Sequence, residues 1–152
     1  MKLLFFISTL SYSLSSYACP QLQGRYNKCF SEIRKINGEY IVDQHQENNY
    51  EVYNVEYSDD ETGENRKDLI KTNNQKDSRK ESLPRMGVTV TVEARSNCVG
   101  DAVVSGADVF FLGAKVGSFV SKIFVEGKNL KSNVDGSYLG KDVHKRIVCE
   151  LK

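Results

Sequence analysis

The chain has no tryptophan, two prolines, two histidines and two methionines in 152 residues, and its formal net charge is only +1. Near-neutrality argues against a general nucleic-acid binder, which needs a basic face to release counterions from phosphates. It argues equally against a polybasic membrane-surface module. With Pro20 and Pro84 as the only prolines there is no Pro-rich linker, and no internal repeat marks a domain boundary. A Gly-x-Ser-x-Gly elbow, a Walker loop and a Gly-x-Gly-x-x-Gly turn are all missing, so neither nucleophile-elbow hydrolysis nor nucleotide chemistry finds support. There is no Cys-x-x-Cys pair, and His45 and His144 lie at no ligand spacing from a cysteine. That makes zinc the weaker reading of the cysteines beside disulfides; no metal and no other cofactor is expected.

Long apolar runs are also lacking. The longest, Leu3 to Leu10, follows Lys2 and is followed by the small and polar stretch Ser11 to Ala18. This is the three-part order of a cleavable secretory signal, with Ser16-Tyr17-Ala18 at the cut. The run is far short of the roughly 20 residues needed to span a bilayer as a helix. The expected organisation is a signal peptide over residues 1–18 and a single domain over 19–152, secreted or periplasmic, with no membrane span. Excision would remove one charge, Lys2, so the 21 basic residues fall by one to match the 20 acidic ones. Cys19 directly after the cut leaves a lipid anchor at that cysteine as an alternative. Against it, Ser16 stands where a lipoprotein signal carries an aliphatic residue, and lipidation would leave an odd number of thiols.

The four cysteines, Cys19, Cys29, Cys98 and Cys149, all follow the cut. An even count in an exported chain reads as two disulfides, for which three pairings exist. The preferred one is Cys29 with Cys149 and Cys19 with Cys98, because the first would join the first and last strands of a closed meander.

Period-two alternation dominates the rest. Tyr53, Val55 and Tyr57 alternate with Asn54 and Glu56; Val88, Val90 and Val92 with Thr89, Thr91 and Glu93; Ile147, Cys149 and Leu151 with Arg146, Val148 and Glu150. Turn signals separate such runs at Asn37-Gly38, Ser58 to Asn65, Asn73-Asn74, Gly87, Gly113, Gly127-Lys128 and Asp135-Gly136. Residues 74–82 have no apolar stripe and read as a solvated strand or loop. The polar stretch from Ser58 to Glu81 reads as a long hairpin with a wet outer face; its acids Asp59, Asp60, Glu61 and Glu64 lack the spacing of a calcium loop. The expected fold is all-β, an up-and-down antiparallel meander of eight to ten strands closing into a β-barrel, with a two-sheet sandwich as the alternative. Closure hides sheet edges, which suits an exported monomer.

The segment Cys19-Pro20-Gln21-Leu22-Gln23-Gly24-Arg25-Tyr26 resembles the opening strand of the calycin group, which includes lipocalins, avidins and fatty-acid-binding proteins. In that group an apolar residue, a glycine and an aromatic enter the barrel floor, and a basic residue of the last strand packs over the aromatic. The resemblance implies a lipocalin-like barrel, Tyr26 across its bottom, and Lys145 or Arg146 in the basic role. Without tryptophan, the cage by which avidins hold biotin is not implied.

No catalytic constellation stands out, and the protein is expected not to be an enzyme. Asp43, His45 and Glu47 share one strand face, as do Asp142 and His144, but lone polar alternation marks a solvent face. Tyr40, Tyr50, Tyr53 and Tyr57 read first as cross-strand packing. Two functions compete. One is a binding protein that holds a small apolar ligand inside the barrel, with candidate lining Tyr26, Tyr53, Val55, Val90, Phe124 and Ile147. The other is a solid scaffold whose loops, at Ser58 to Asn65 and around Cys98, contact a protein partner as an interaction module or inhibitor.

Overall fold

The computed structural model describes residues 19–83 and 86–152; the expected signal peptide, residues 1–18, lies outside them. Among the described residues eleven strands form one antiparallel sheet: β1 (Gly24–Ser31), β2 (Lys35–Ile36), β3 (Gly38–Glu47), β4 (Tyr50–Asp59), β5 (Glu64–Lys71), β6 (Asp77–Leu83), β7 (Val88–Val99), β8 (Ala102–Phe111), β9 (Ala114–Glu126), β10 (Asn129–Tyr138) and β11 (Lys141–Leu151). The hydrogen-bonded order is β5-β4-β3-β1-β11-β10-β9-β8-β7-β6, with the two-residue β2 attached to β1. This is an up-and-down meander curled into a half-barrel, all-β as the alternation predicts, and a single sheet rather than a sandwich.

The first and last strands join by backbone pairing, from Tyr26 opposite Leu151 to Ser31 opposite Ile147. The discontinuity falls in mid-chain, where β5 and β6 are consecutive in sequence yet are the two free edges of the sheet. The expected long wet hairpin over residues 58–81 is therefore corrected: β5 pairs only with β4 and β6 only with β7. Between β1 and β11 the register slips, and Lys28 takes a positive φ of 47°. The extra residue of this bulge turns Cys29 into the core.

Sulfur bonds link Cys29 to Cys149 and Cys19 to Cys98. Two disulfides fit an oxidising compartment. Among the described residues, no helix is long and apolar enough to cross a membrane.

One end of the half-barrel is plugged. Residues 19–22 cross beneath it from β7, where Cys19 is bonded to Cys98, to β3, where the Leu22 amide donates to Gln44 Oε1 at 2.9 Å. Leu22, Tyr26, Cys29, Val42, Tyr53, Val103, Leu130 and Cys149 are buried in that floor. The Tyr53 hydroxyl donates to Pro20 O at 2.8 Å and the Tyr26 hydroxyl to Leu22 O at 2.8 Å, so both phenols are buried with their polar ends satisfied. Gly24 makes room for this arrangement, because a methyl there would lie 2.7 Å from Leu151 Cδ1 and 3.3 Å from the Tyr26 ring.

Gly136 is not the turn that Asp135-Gly136 suggests. It sits within β10, opposite Phe119 and Val143, where a methyl would meet Ser118 O at 2.2 Å. The turn follows three residues later, at Leu139-Gly140.

Candidate functional site

Above the floor the curled sheet surrounds a half-open cavity of about 1320 Å3. Its bottom is Val55, Ile70, Ile123 and Ile147, the upper surface of the floor cluster. Higher on the β6–β10 side, Val90, Val92 and Val109 form a second buried cluster, with Leu83, Ala107, Phe119 and Tyr138 packed on it and facing the cavity. Tyr138 reaches over the mouth toward the β6–β7 turn, its hydroxyl 3.9 Å from Met86 Sδ.

Between the two apolar zones runs a belt of hydroxyls. Strand register sets Ser96 opposite Ser105, Ser105 opposite Ser121, Ser121 opposite Val134 and Val134 opposite Lys145. All five face the cavity, and the Ser96 and Ser105 hydroxyls are hydrogen-bonded at 2.6 Å. At the end of the row the Lys145 ammonium stands 5.6 Å from the centre of the Tyr57 ring. Tyr57 stacks on Tyr40 with ring centres 4.7 Å apart. The tyrosine pair is thus both cross-strand packing and cavity wall. Burial pushes the Tyr57 phenol up to about 12, and the Tyr40 phenol is raised by the same cause, so both stay neutral donors.

The free edges supply the charged wall. Glu64, Arg66 and Asp68 on β5, and Asp77, Arg79 and Glu81 on β6, all line the cavity. Arg79 bonds Asp68 across the seam at 3.3 Å and Glu81 on its own strand at 2.7 Å, while Arg66 bonds Asp68 at 2.8 Å. The two guanidinium groups are thus paired, while four carboxylates against two cations leave these six side chains with a net negative charge. Among the described residues, Lys145 has no carboxylate within ion-pair distance.

Of the residues expected from alternation, Val55, Val90 and Ile147 line the cavity. Tyr26 and Tyr53 lie below it, in the floor. Phe124 is on the outer face, its ring covered by the ammonium groups of Lys122 at 4.9 Å and Lys131 at 6.0 Å. Strand β9 is apolar on both faces, with Phe119 and Ile123 inward and Val120 and Phe124 outward, so period two could not fix its phase. Neither basic residue that the resemblance implied packs over Tyr26: Lys145 stands at the Tyr57 ring, and Arg146 points outward and bonds Asp135 at 2.6 Å.

No family model, curated protein or solved structure matches the chain. The site must therefore be read from its own geometry.

Asp43, His45 and Glu47 are on the outer face of β3, where His45 Nε2 lies 3.4 Å from Glu47 Oε1 and the Tyr50 hydroxyl donates to Glu47 Oε2 at 2.8 Å. His144 is also outside, with Nδ1 2.8 Å from Asp135 Oδ1. Neither group faces the cavity. The residues that sequence reasoning missed are the serine belt and the inward charges of β5 and β6. Small polar and charged residues at every second position look like a solvent face, and here that face turns into the half-barrel.

Proposed function

We propose that this is an exported, non-enzymatic binding protein, secreted or periplasmic, that holds a small amphipathic ligand in the hollow of its curled sheet. The observation that carries the reading is the cavity of about 1320 Å3, larger than the roughly 300–1,000 Å3 of ordinary small-molecule sites. Strands arranged in this way are either filled by their own side chains or leave room for a guest. Above the floor the interior positions mix serine, alanine and valine with the charged side chains of β5 and β6. An apolar base, an apolar upper wall, a hydroxyl belt and a charged wall with three ammonium groups, Lys71, Lys76 and Lys145, suit a guest with an apolar body and a polar end. A solid scaffold acting through its loops would need an interior filled by side chains, so the hollow favours the carrier.

Native mass spectrometry of protein purified from its own source, with titration of the apolar dye anilinonaphthalene sulfonate, tests the reading. One saturable site per chain is expected, weakened by Ala107→Trp, which fills the cavity without touching the floor. Bare polypeptide in the mass spectrum, together with dye binding indifferent to that substitution, would end the carrier reading.

A further inference from the structure

The two hairpins beside one another at the open end of the half-barrel each carry an exposed leucine at the tip, while the aromatic before it packs on the Val90, Val92 and Val109 cluster. The β8–β9 tip reads Phe111-Leu112-Gly113-Ala114-Lys115 and the β10–β11 tip Tyr138-Leu139-Gly140-Lys141, the same order of aromatic, leucine, glycine and lysine. Both are two-residue turns with positive φ at both positions: 49° at Leu112 and 84° at Gly113, 50° at Leu139 and 75° at Gly140. A side chain as large as leucine is disfavoured in that conformation, where asparagine, aspartate or glycine is preferred. The chain follows the preference at the plugged end, with Asn48, Gly100 and Gly127 at the positive-φ turn positions. At the open end Gly63 and Gly87 follow it too, and Leu112 and Leu139 are the departures. Leu112 is 90% exposed and Leu139 59%, so neither recovers the cost by packing.

The neighbouring β6–β7 tip adds Met86, 52% exposed. Met86 and Tyr138 also line the cavity, so the apolar tips and the cavity mouth are continuous. Around this rim Lys115, bonded to Asp108 at 2.7 Å, and Lys141, followed by Asp142, stand beside the two leucines, whereas the acids Asp60, Glu61 and Glu64 cluster at the β4–β5 turn on the opposite part of the ring.

We propose that this sector of the rim docks on an anionic lipid surface, with Leu112 and Leu139 entering the acyl boundary, the aromatics at headgroup level and the lysines on phosphates. Separate apolar points on protruding tips suit a fluid that closes around them, since a protein partner would need a matching pocket for each. Aromatic rings and lysines flanking an apolar insert are the composition of a bilayer interface. The acidic turn tilts away from the same surface. This inference does not depend on the cavity being occupied.

The test is flotation of the purified protein with vesicles of phosphatidylcholine and phosphatidylglycerol, for the natural sequence and for Leu112→Asn with Leu139→Asn. The natural protein is expected to float, and the double variant to lose partitioning by about ten-fold or more, the scale of withdrawing two leucines from an apolar phase. Asparagine suits the left-handed positions, so the variant's thermal midpoint should equal or exceed that of the natural protein. As a second reading, Leu112→Trp places the only tryptophan in the chain at the tip, and its emission should shift to the blue on adding vesicles. Failure of the natural protein to float, undiminished flotation of the double variant, a large fall in its thermal midpoint, or no spectral shift would each overturn the proposal.

Discussion

Asp68 and Arg79 meet across the one place where the ring of strands lacks backbone pairing, with Oδ1 and the guanidinium nitrogen 3.3 Å apart. They belong to facing charge patterns. Read antiparallel, Arg66 and Asp68 on β5 lie against Glu81 and Arg79 on β6, opposite sign to opposite sign. The half-barrel is therefore held at its seam by inward side chains rather than by a ladder. Both partners are partly exposed, and such pairs contribute about 0.2–1 kcal/mol each. A seam of that strength can open without unfolding the sheet. Arg79→Glu, which puts three acids together, should leave global stability nearly unchanged while speeding amide exchange in residues 64–71 and 77–83. Adding Asp68→Arg should restore protection. Equal exchange in all three proteins would show that the seam does not rely on these charges.

A second ion pair fixes the open end. Asp59, buried at the end of β4, bonds the Arg34 guanidinium and accepts the Glu61 amide at 3.1 Å, and the Tyr57 hydroxyl lies 3.4 Å away. The Arg34 hydrogen bond outweighs burial and pulls the Asp59 carboxyl down to about 2. A carboxyl that is more acidic when folded contributes stability above its unfolded value, and that contribution disappears as pH falls toward the folded one. Between about pH 4 and pH 2 the natural protein should thus lose more stability than Asp59→Asn does, as read by urea midpoints at each pH. Asp108 and Asp135 are lowered in the same direction and act in both proteins, so the difference between the two curves is the informative quantity.

What could be read from the sequence, and what could not, divides along one physical line. Strands β4, β7 and β11 carry apolar residues on one face and polar residues on the other, and their alternation marked both the strands and their inner faces. Strands β5 and β6 alternate too, but Arg66, Asp68, Arg79 and Glu81 point inward, so polarity gave the wrong side. Sequence patterning assumes that the inside is apolar, and a half-barrel with a partly polar lining breaks that assumption. Phe124 misled for a related reason, because β9 is apolar on both faces and the covering lysines, Lys122 and Lys131, come from two strands. Gly136 looked like a turn because glycine after aspartate usually is one; its actual cause is the crowding of Ser118 and Phe119, visible only in three dimensions.

The Cys19–Cys98 bond ties down the segment that forms the floor. Its two ends are 79 residues apart in sequence, and opening a loop of that size costs about 2–5 kcal/mol in domains of this kind. Cys19→Ala with Cys98→Ala should lower the urea midpoint by that amount and also release the Pro20 and Leu22 contacts to Tyr53 and Gln44. Increased proteolysis near residues 19–24, at denaturant concentrations where the rest of the chain stays intact, would report the local release. If the midpoint falls without early cleavage there, the bond acts on the unfolded chain alone.

Gly136 and Gly106 make a matched pair for testing how tightly the sheet is packed at the level of Phe119. Both are mid-strand, in β10 and β8, and neither has the positive φ that would exclude a side chain. A methyl at Gly136 would lie 2.2 Å from Ser118 O, 2.7 Å from Phe119 Cδ1 and 2.8 Å from Phe119 Cα, whereas a methyl at Gly106 would meet nothing within 4 Å. Backbone atoms cannot yield as a flexible side chain does, so Gly136→Ala should destabilise by about 1–3 kcal/mol. Gly106→Ala should be neutral or stabilise by about 0.4–1 kcal/mol, because it only reduces the freedom of the unfolded chain. Phe119 faces the cavity, so the first substitution should also weaken binding of the apolar dye while the second leaves it unchanged. Equal urea midpoints for the two variants would mean that β9 and β10 can part by a few tenths of an ångström at little cost, and the close fit around Phe119 would then not be what glycine is there to provide.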